Sequence, residues 1–275
     1  DSTTVEITVK QDFNPGEVEP GVGENKIVVD EGTQPEHGGE ESHGQNGSGS
    51  FIVDLHGEGG TIEVGGWTIS ITDGVATVSG SAQGVHGVEL SNVEAELGAD
   101  GKWTVNYDYA LGGRQEHGAD GSATDADLTG NFPITVTDAT GDKATGSIDV
   151  TVHDDVPVVT QAAKGDATEA ENDTADSTLS GSFGIGFGAD GAADAPLSIN
   201  GATGTKDGNK TTFDVDGGKL VVTDNGDGNY SYEYQPSDPN KSFGEKQFMI
   251  TATDKDGDST TVEITVKQDF NPGEV

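Results

Sequence analysis

Five residues, Asp254-Lys255-Asp256-Gly257-Asp258, set three carboxylates at alternate positions around one glycine. Alternating carboxylates on a tight turn can converge on a single cation, and their hard oxygens suit Ca2+; the glycine supplies the bend. A weaker version stands earlier, Asp138-Ala139-Thr140-Gly141-Asp142, with Thr140 where the other has its central Asp. An EF-hand requires Glu at the twelfth position of its loop. Counted from Asp254 that position is Thr265, so an EF-hand is excluded. The alternative is that both are hairpin turns with solvated acids. Asp224-Asn225-Gly226-Asp227-Gly228, between VVT and YSYEY, reads as a plain hairpin turn. Asp190 in GADGA reads equally as a ligand or a turn residue.

The elements that must hold these turns are strands. Val262, Ile264 and Val266 share one face, with Glu263 and Thr265 on the other. Ile148, Val150 and Val152 repeat the pattern, as do Tyr230, Tyr232 and Tyr234, and Trp103, Val105, Tyr107 and Tyr109. This is the alternation of half-buried antiparallel strands. No segment carries a helical stripe. Two polar, glycine-rich segments, 30–50 and 112–130, are expected to be long mobile loops. The expected class is all-β, with tandem immunoglobulin-like β-sandwich domains in a linear array; a small barrel is the alternative.

Two repeats set the domain plan. Residues 1–18, DSTTVEITVKQDFNPGEV, return letter for letter as 258–275. A diverged repeat also lies inside: SGSFIVDLHGEGG (48–60) matches SGSFGIGFGADGA (180–192), ADGKWTVNYDY (99–109) matches GDGNYSYEYQ (226–235), and FPITVTDATGD (132–142) matches FMITATDKDGD (248–258). VHDDVPVV (152–159) corresponds to VKQDFNPGEV (266–275). The expectation is a segment of a longer tandem array: 1–18 as the closing strand and linker of a preceding repeat, 19–157 as one sandwich with long inserted loops, and 158–275 as a second.

In this plan the last strand of each domain runs from its acidic turn to the domain's far end. The turn therefore sits beside the preceding linker. Asp254, Asp256 and Asp258 are expected near Asp154 and Asp155, and Asp138 and Asp142 near Asp12, Asn14 and Glu17. Glu31 and Glu169 can add ligands, and Asp269 would serve the next junction. Ca2+ at each junction would turn carboxylate repulsion into a clamp. Pro157 and Pro272 restrict the linkers further.

Composition narrows the function. The chain has 275 residues with 50 acidic against 13 basic, a net charge of −37, and 31% hydrophobic residues. Such a chain repels itself and needs cations or high salt to fold compactly. With no basic stripe it is expected to bind no nucleic acid. With no long apolar run it is expected to make no direct membrane insertion. It contains no cysteine, so metal is the remaining staple for an extracellular chain.

Taken in order, GSFGIGFGADGA, the DGNYSYEY hairpin, FMITATDKDGD and a strand ending in DDVP resemble the tandem extender repeats of giant RTX-type bacterial biofilm adhesins exported by type I secretion. The likeness covers nearly the whole chain. It implies extracellular sandwich modules at the bacterial cell surface, stiffened by calcium at domain junctions and projecting a distal adhesive region for surface attachment and biofilm formation. It implies neighbouring repeats of the same chain as partners, with any host or surface ligand gripped by other domains. The family's calcium positions carry over to Asp154, Asp155, Asp254, Asp256 and Asp258. Thr140 departs from that pattern, and the GGxGxD tract of the family's calcium β-roll is absent.

An enzyme is not expected. There is no Cys, HExxH or GxSxG, and His37, His43, His56, His86, His117 and His153 are scattered. The competing function is a calcium-dependent carbohydrate- or protein-binding module in the first domain, which carries both Trp67 and Trp103. Its competitor is that both tryptophans pack in the core.

Overall fold

The structure, a computed structural model, describes residues 14–32, 45–113, 115, 127–169 and 176–268; the side chains of 167–169 and 176 stand outside that description. Among these residues every regular element is a strand. They form two compact units, with the chain passing from one to the other between His153 and Asp154.

The first unit holds ten strands: β1 (Glu19–Pro20), β2 (Lys26–Asp30), β3 (Asn46–Val53), β4 (Gly60–Val64), β5 (Trp67–Thr72), β6 (Val75–Gly80), β7 (Val88–Leu97), β8 (Trp103–Leu111), β9 (Leu128–Asp138) and β10 (Lys143–His153). One sheet has the order β1-β3-β8-β7 and the other β2-β10-β9-β4-β5-β6. In immunoglobulin lettering these are A-B-E-D and A′-G-F-C-C′-C″, the variable-type sandwich. Among the described residues β2 is the one parallel partner, lying against β10 with Val150 opposite Ile27. The core fills from alternate positions of both sheets: Ile27, Phe51, Ile62, Ile69, Leu90, Val105, Ile134 and Ile148 are wholly buried. Trp103 belongs to this core at 4% exposure, and Trp67 is half-buried against it.

The second unit repeats the plan with β11 (Val158–Glu169), β12 (Asp176–Gly186), β13 (Ala192–Ile199), β14 (Ala202–Thr203), β15 (Thr205–Asp207), β16 (Lys210–Val215), β17 (Gly218–Asp224), β18 (Asn229–Pro236), β19 (Gly244–Asp254) and β20 (Ser259–Gln268). Strands β11, β12, β18, β17, β16 and β15 form one layer; β14, β13, β19 and β20 form the other. One bridge, Thr178 to Lys267, ties the layers along β12 and β20. Tyr230, Tyr232 and Tyr234 all point inward and are buried, as are Val262, Ile264 and Val266. Phe183 stacks on Tyr230 with ring centres 5.1 Å apart.

The diverged repeat falls on equivalent strands. SGSF opens the buried part of β3 and of β12, and the tyrosine runs are β8 and β18, which pair with them. Gly49 lies opposite Tyr107, and Gly181 opposite Tyr232. A Cβ on Gly49 or Gly181 would stand 2.5 Å from the facing phenolic oxygen. The glycine thus makes room for a tyrosine ring laid across the sheet, which explains why SGS and the tyrosines recur together.

Two expected loops are shorter than their composition suggests. Strand β3 begins at Asn46 and β9 at Leu128, inside the segments read as 30–50 and 112–130. Residues 33–44, 114 and 116–126 lie outside the described residues. The sequence DNGDG is a hairpin turn between β17 and β18: Asn225 N–H donates to Asn229 O at 2.9 Å, and Gly226 N–H to Asp224 Oδ1 at 2.8 Å.

Gly181→Ala is expected to destabilise the second unit by about 1–3 kcal/mol through overpacking. Its Cβ would strike the Lys164 carbonyl as well as Tyr232, and backbone cannot yield cheaply. Urea unfolding followed through tyrosine fluorescence checks this, and a variant as stable as the native chain would contradict it.

Candidate metal centre

The two acidic turns share one frame. In the first unit Asp138 N–H donates to Asp142 O at 3.0 Å; in the second, Asp254 N–H donates to Asp258 O at 3.0 Å. Asp138 Oδ1 accepts from Gly141 N–H at 2.8 Å and Asp142 N–H at 2.9 Å. Asp254 Oδ1 accepts from Gly257 N–H at 3.0 Å and Asp258 N–H at 2.8 Å. Gly141 and Gly257 take φ of 100° and 114°, a region that strains other residues. Each turn is thus closed by its own leading aspartate.

One side chain separates them. Thr140 donates both its N–H, at 2.9 Å, and its hydroxyl, at 2.8 Å, to Asp138 Oδ1. Burial pushes the Asp138 carboxyl up, but these four donors outweigh it and hold it below the ordinary carboxylate value. In the second unit Asp256 occupies the matching position and brings a second carboxylate instead of donors. Burial first, and then the Asp256 carboxylate, push Asp254 up to about 8.

The loop from Phe187 to Gly191 brings a third carboxylate. One oxygen each from Asp190, Asp254 and Asp256 lies within 4.8 Å of the others. Asp190 and Asp254 are each 1% exposed. The second oxygen of Asp254 and both oxygens of Asp256 are enclosed and accept no hydrogen bond from the protein. The loop is tied to the turn by main chain, with Lys255 N–H donating to Gly191 O at 3.1 Å. At a separation of this order two carboxylate charges repel by roughly 3 kcal/mol at an effective dielectric of about 20. Carboxylate oxygens that converge, are enclosed and lack donors are the ligand set of a hard cation. This buried acidic cluster has the residues and spacing to hold a metal ion.

The segment entering the second unit meets the same loop. Asp155 is buried, and its Oδ2 accepts from Ala189 N–H at 2.6 Å, one residue before Asp190. Its carboxylate occupies the space a side chain on Gly188 would need. Asp154 is buried and its Oδ1 accepts from Asp155 N–H at 2.8 Å. Incoming segment, β12–β13 loop and β19–β20 turn therefore share one end of this unit.

The remaining candidates fall differently. Asp258 is buried and closes the turn through its main chain. Asp142 is exposed. Glu31 is 1% exposed, its Oε1 accepts from Gln115 N–H at 2.6 Å, and its own N–H donates to His153 O at 3.1 Å. Glu169 ends β11 opposite Asp176, with its side chain outside the description. Asp12 and Asp269 lie outside the described residues. Asn14 and Glu17 are exposed, and between them Gly16 N–H donates to Asp54 O at 2.9 Å. Among the described residues no third carboxylate gathers around Asp138 and Asp142.

Asp190 is the residue that sequence reasoning left undecided. Its signal was the alignment of GADGA with HGEGG, which sets Glu58 at the matching position of the first unit. Glu58 also has an enclosed Oε2 without a partner. Trp103 is core, and Trp67 donates its indole N–H to Leu90 O at 2.9 Å while lining one side of a cavity of about 460 Å³.

Neither a protein-family model nor a curated protein matches the chain. Solved structures do. A chimeric titin Z1Z2 carrying a decorin peptide is 14% identical, covering 95% of this chain and 98% of its own, with a TM-score of 0.24. The human desmocollin-1 ectodomain is 12% identical over 97% of this chain and 39% of its own, TM-score 0.26. A structure bearing on host cell surface retention of a 1.5-MDa bacterial ice-binding adhesin is 15% identical over 94% of this chain and 65% of its own, TM-score 0.25. The immunoglobulin-like assignment rests on the strand order of each unit, not on these likenesses.

Asp138→Ala should lower the melting temperature of the first unit, because it strips one acceptor from four donors. Asp256→Ala should have the opposite sign for the second unit in chelator, because it removes the carboxylate crowded against Asp254. Differential scanning calorimetry of both variants in chelating buffer reads the two signs directly.

Proposed function

We propose that the chain is an extracellular extender segment of a bacterial cell-surface adhesin, in which Ca2+ bound at the ends of sandwich units stiffens a linear array. The array would project a distal adhesive region for surface attachment and biofilm formation. Its role is mechanical, and no catalytic step is assigned to it. The observation that carries the reading is the enclosed, donor-free set of Asp254 and Asp256 oxygens converging with Asp190. An all-oxygen, carboxylate-rich set favours Ca2+ over a transition metal, and its flexible geometry suits Ca2+ better than Mg2+. In this reading Ca2+ supplies the positive charge that lets the turn and the β12–β13 loop stay together. The Asp155 to Ala189 hydrogen bond then holds the incoming segment to the same end of the unit, so its direction is set when the ion is in place. Repetition of sandwich units, a chain charge of −37 and the absence of cysteine support the extracellular, metal-stapled reading.

Calcium at about one hundred times its dissociation constant should stabilise the second unit by about 2.7 kcal/mol, while chelator returns it to the metal-free value. Calorimetric melting of the intact chain checks this. Identical second-unit transitions with calcium and with chelator would overturn the calcium reading.

A further inference from the structure

Exposed sheet edges invite pairing with other chains, and folded proteins blunt them with short length, charge, bulges or proline. Among the described residues almost every edge here is blunted. Strands β1 and β14 have two residues each, and β15 has three, two of them charged. Strand β2 has five residues with Lys26 and Asp30 at its ends. Strand β7 carries Glu89, Glu94 and Glu96 and loses register between Ser91 and Glu94. Strand β11 loses register three times and carries Lys164 and Asp166.

Strand β6 has none of these devices. It runs six residues, VATVSG, in unbroken register with β5, and ends the first unit's larger sheet. Val75 and Val78 are 61% and 38% exposed. No Asp, Glu, Lys or Arg occurs from Gly74 to Val88, in a chain with 50 acidic residues. Its hairpin closes through Asp73 and Gly74 at φ of 51° and 74°, a two-residue turn. Thr72 and Val75 are then a hydrogen-bonded pair, and alternation turns the N–H and C=O of Ala76 and Val78 away from β5.

We propose that β6 is a homotypic pairing edge, at which two copies of this chain join antiparallel, β6 to β6, about a twofold axis. Charge selects the occupant. A cationic partner would gain most from the acidic surface elsewhere, whereas two chains of −37 meet with least repulsion where neither carries charge. The contact is isologous, so each copy supplies both the donors and the acceptors the other lacks. With Ala76 opposite Val78 of the second copy, the two Thr77 side chains lie side by side. As a non-hydrogen-bonded pair their Cα atoms are about 4.5 Å apart, within the range a disulfide between cysteines placed there can span.

The chain has no cysteine, so Thr77→Cys in the full chain gives a clean probe. Under mild oxidation with calcium present it should form a covalent dimer at a rate rising with protein concentration, while Asp207→Cys, on exposed β15, stays monomeric. In sedimentation velocity the native chain should shift toward dimer as concentration rises, and Thr77→Glu/Ser79→Glu should remain monomeric throughout. The proposal is overturned if Thr77→Cys cross-links no faster than Asp207→Cys. It is equally overturned if a native dimer survives Thr77→Glu/Ser79→Glu, which would assign association to another surface, or if the native chain sediments as a monomer at every concentration.

Discussion

Repulsion between carboxylates that the fold forces together is the constraint on which the rest depends. The β19–β20 turn closes around Asp254 with the same main-chain frame that the β9–β10 turn builds around Asp138. Two peptide donors per turn fix one oxygen of the leading aspartate. What happens to the remaining negative charge is decided two residues later. Thr140 adds donors, so four of them converge on Asp138 Oδ1, while Asp138 Oδ2 stays buried without a partner. Asp256 adds charge instead. The same backbone therefore surrounds one leading aspartate with donors and the other with further carboxylates.

The sandwich makes this conflict tolerable by spreading its stability elsewhere. Each unit has a continuous core drawn from alternate strand positions, and the turn lies at its end. Glycines opposite tyrosines on β3 and β12 let large rings fill the sheet faces of a chain with few apolar residues. On the proposed reading, Ca2+ then acts on a local element: it orders the turn, the β12–β13 loop and the segment bonded to that loop, while the core holds the sheets together regardless. On the same reading, acidity that would disfavour a compact chain becomes, at one end of the unit, the feature that would make metal an ordering signal.

Much of the fold was legible because alternation is a local property. Val262-Glu263-Ile264-Thr265-Val266 and Tyr230-Ser231-Tyr232-Glu233-Tyr234 declare their faces without help from distant residues, and both are buried as that pattern requires. The first half of β3 was not legible. Asn46-Gly47-Ser48-Gly49 has no apolar stripe, because its job is to leave space for Tyr109 and Tyr107, and that space is visible only once the strands pair. The site divides in the same way. Alternating acids at 254–258 announce a turn and a candidate ligand set from spacing alone. Asp190 does not, since a lone acid in GADGA acquires meaning only when tertiary structure carries it to Asp254 and Asp256. Nor does the threonine at 140 reveal that its hydroxyl faces Asp138.

The most direct measurement is calcium stoichiometry by isothermal titration calorimetry on the reciprocal exchange of those two residues. Thr140→Asp should gain one calcium per chain relative to the native protein, with Glu58, Asp138 and the new carboxylate as its ligands, and Asp256→Thr should lose one. Unchanged stoichiometry in both variants would contradict the claim that the residue at this position decides between a hydrogen-bonded turn and a metal site.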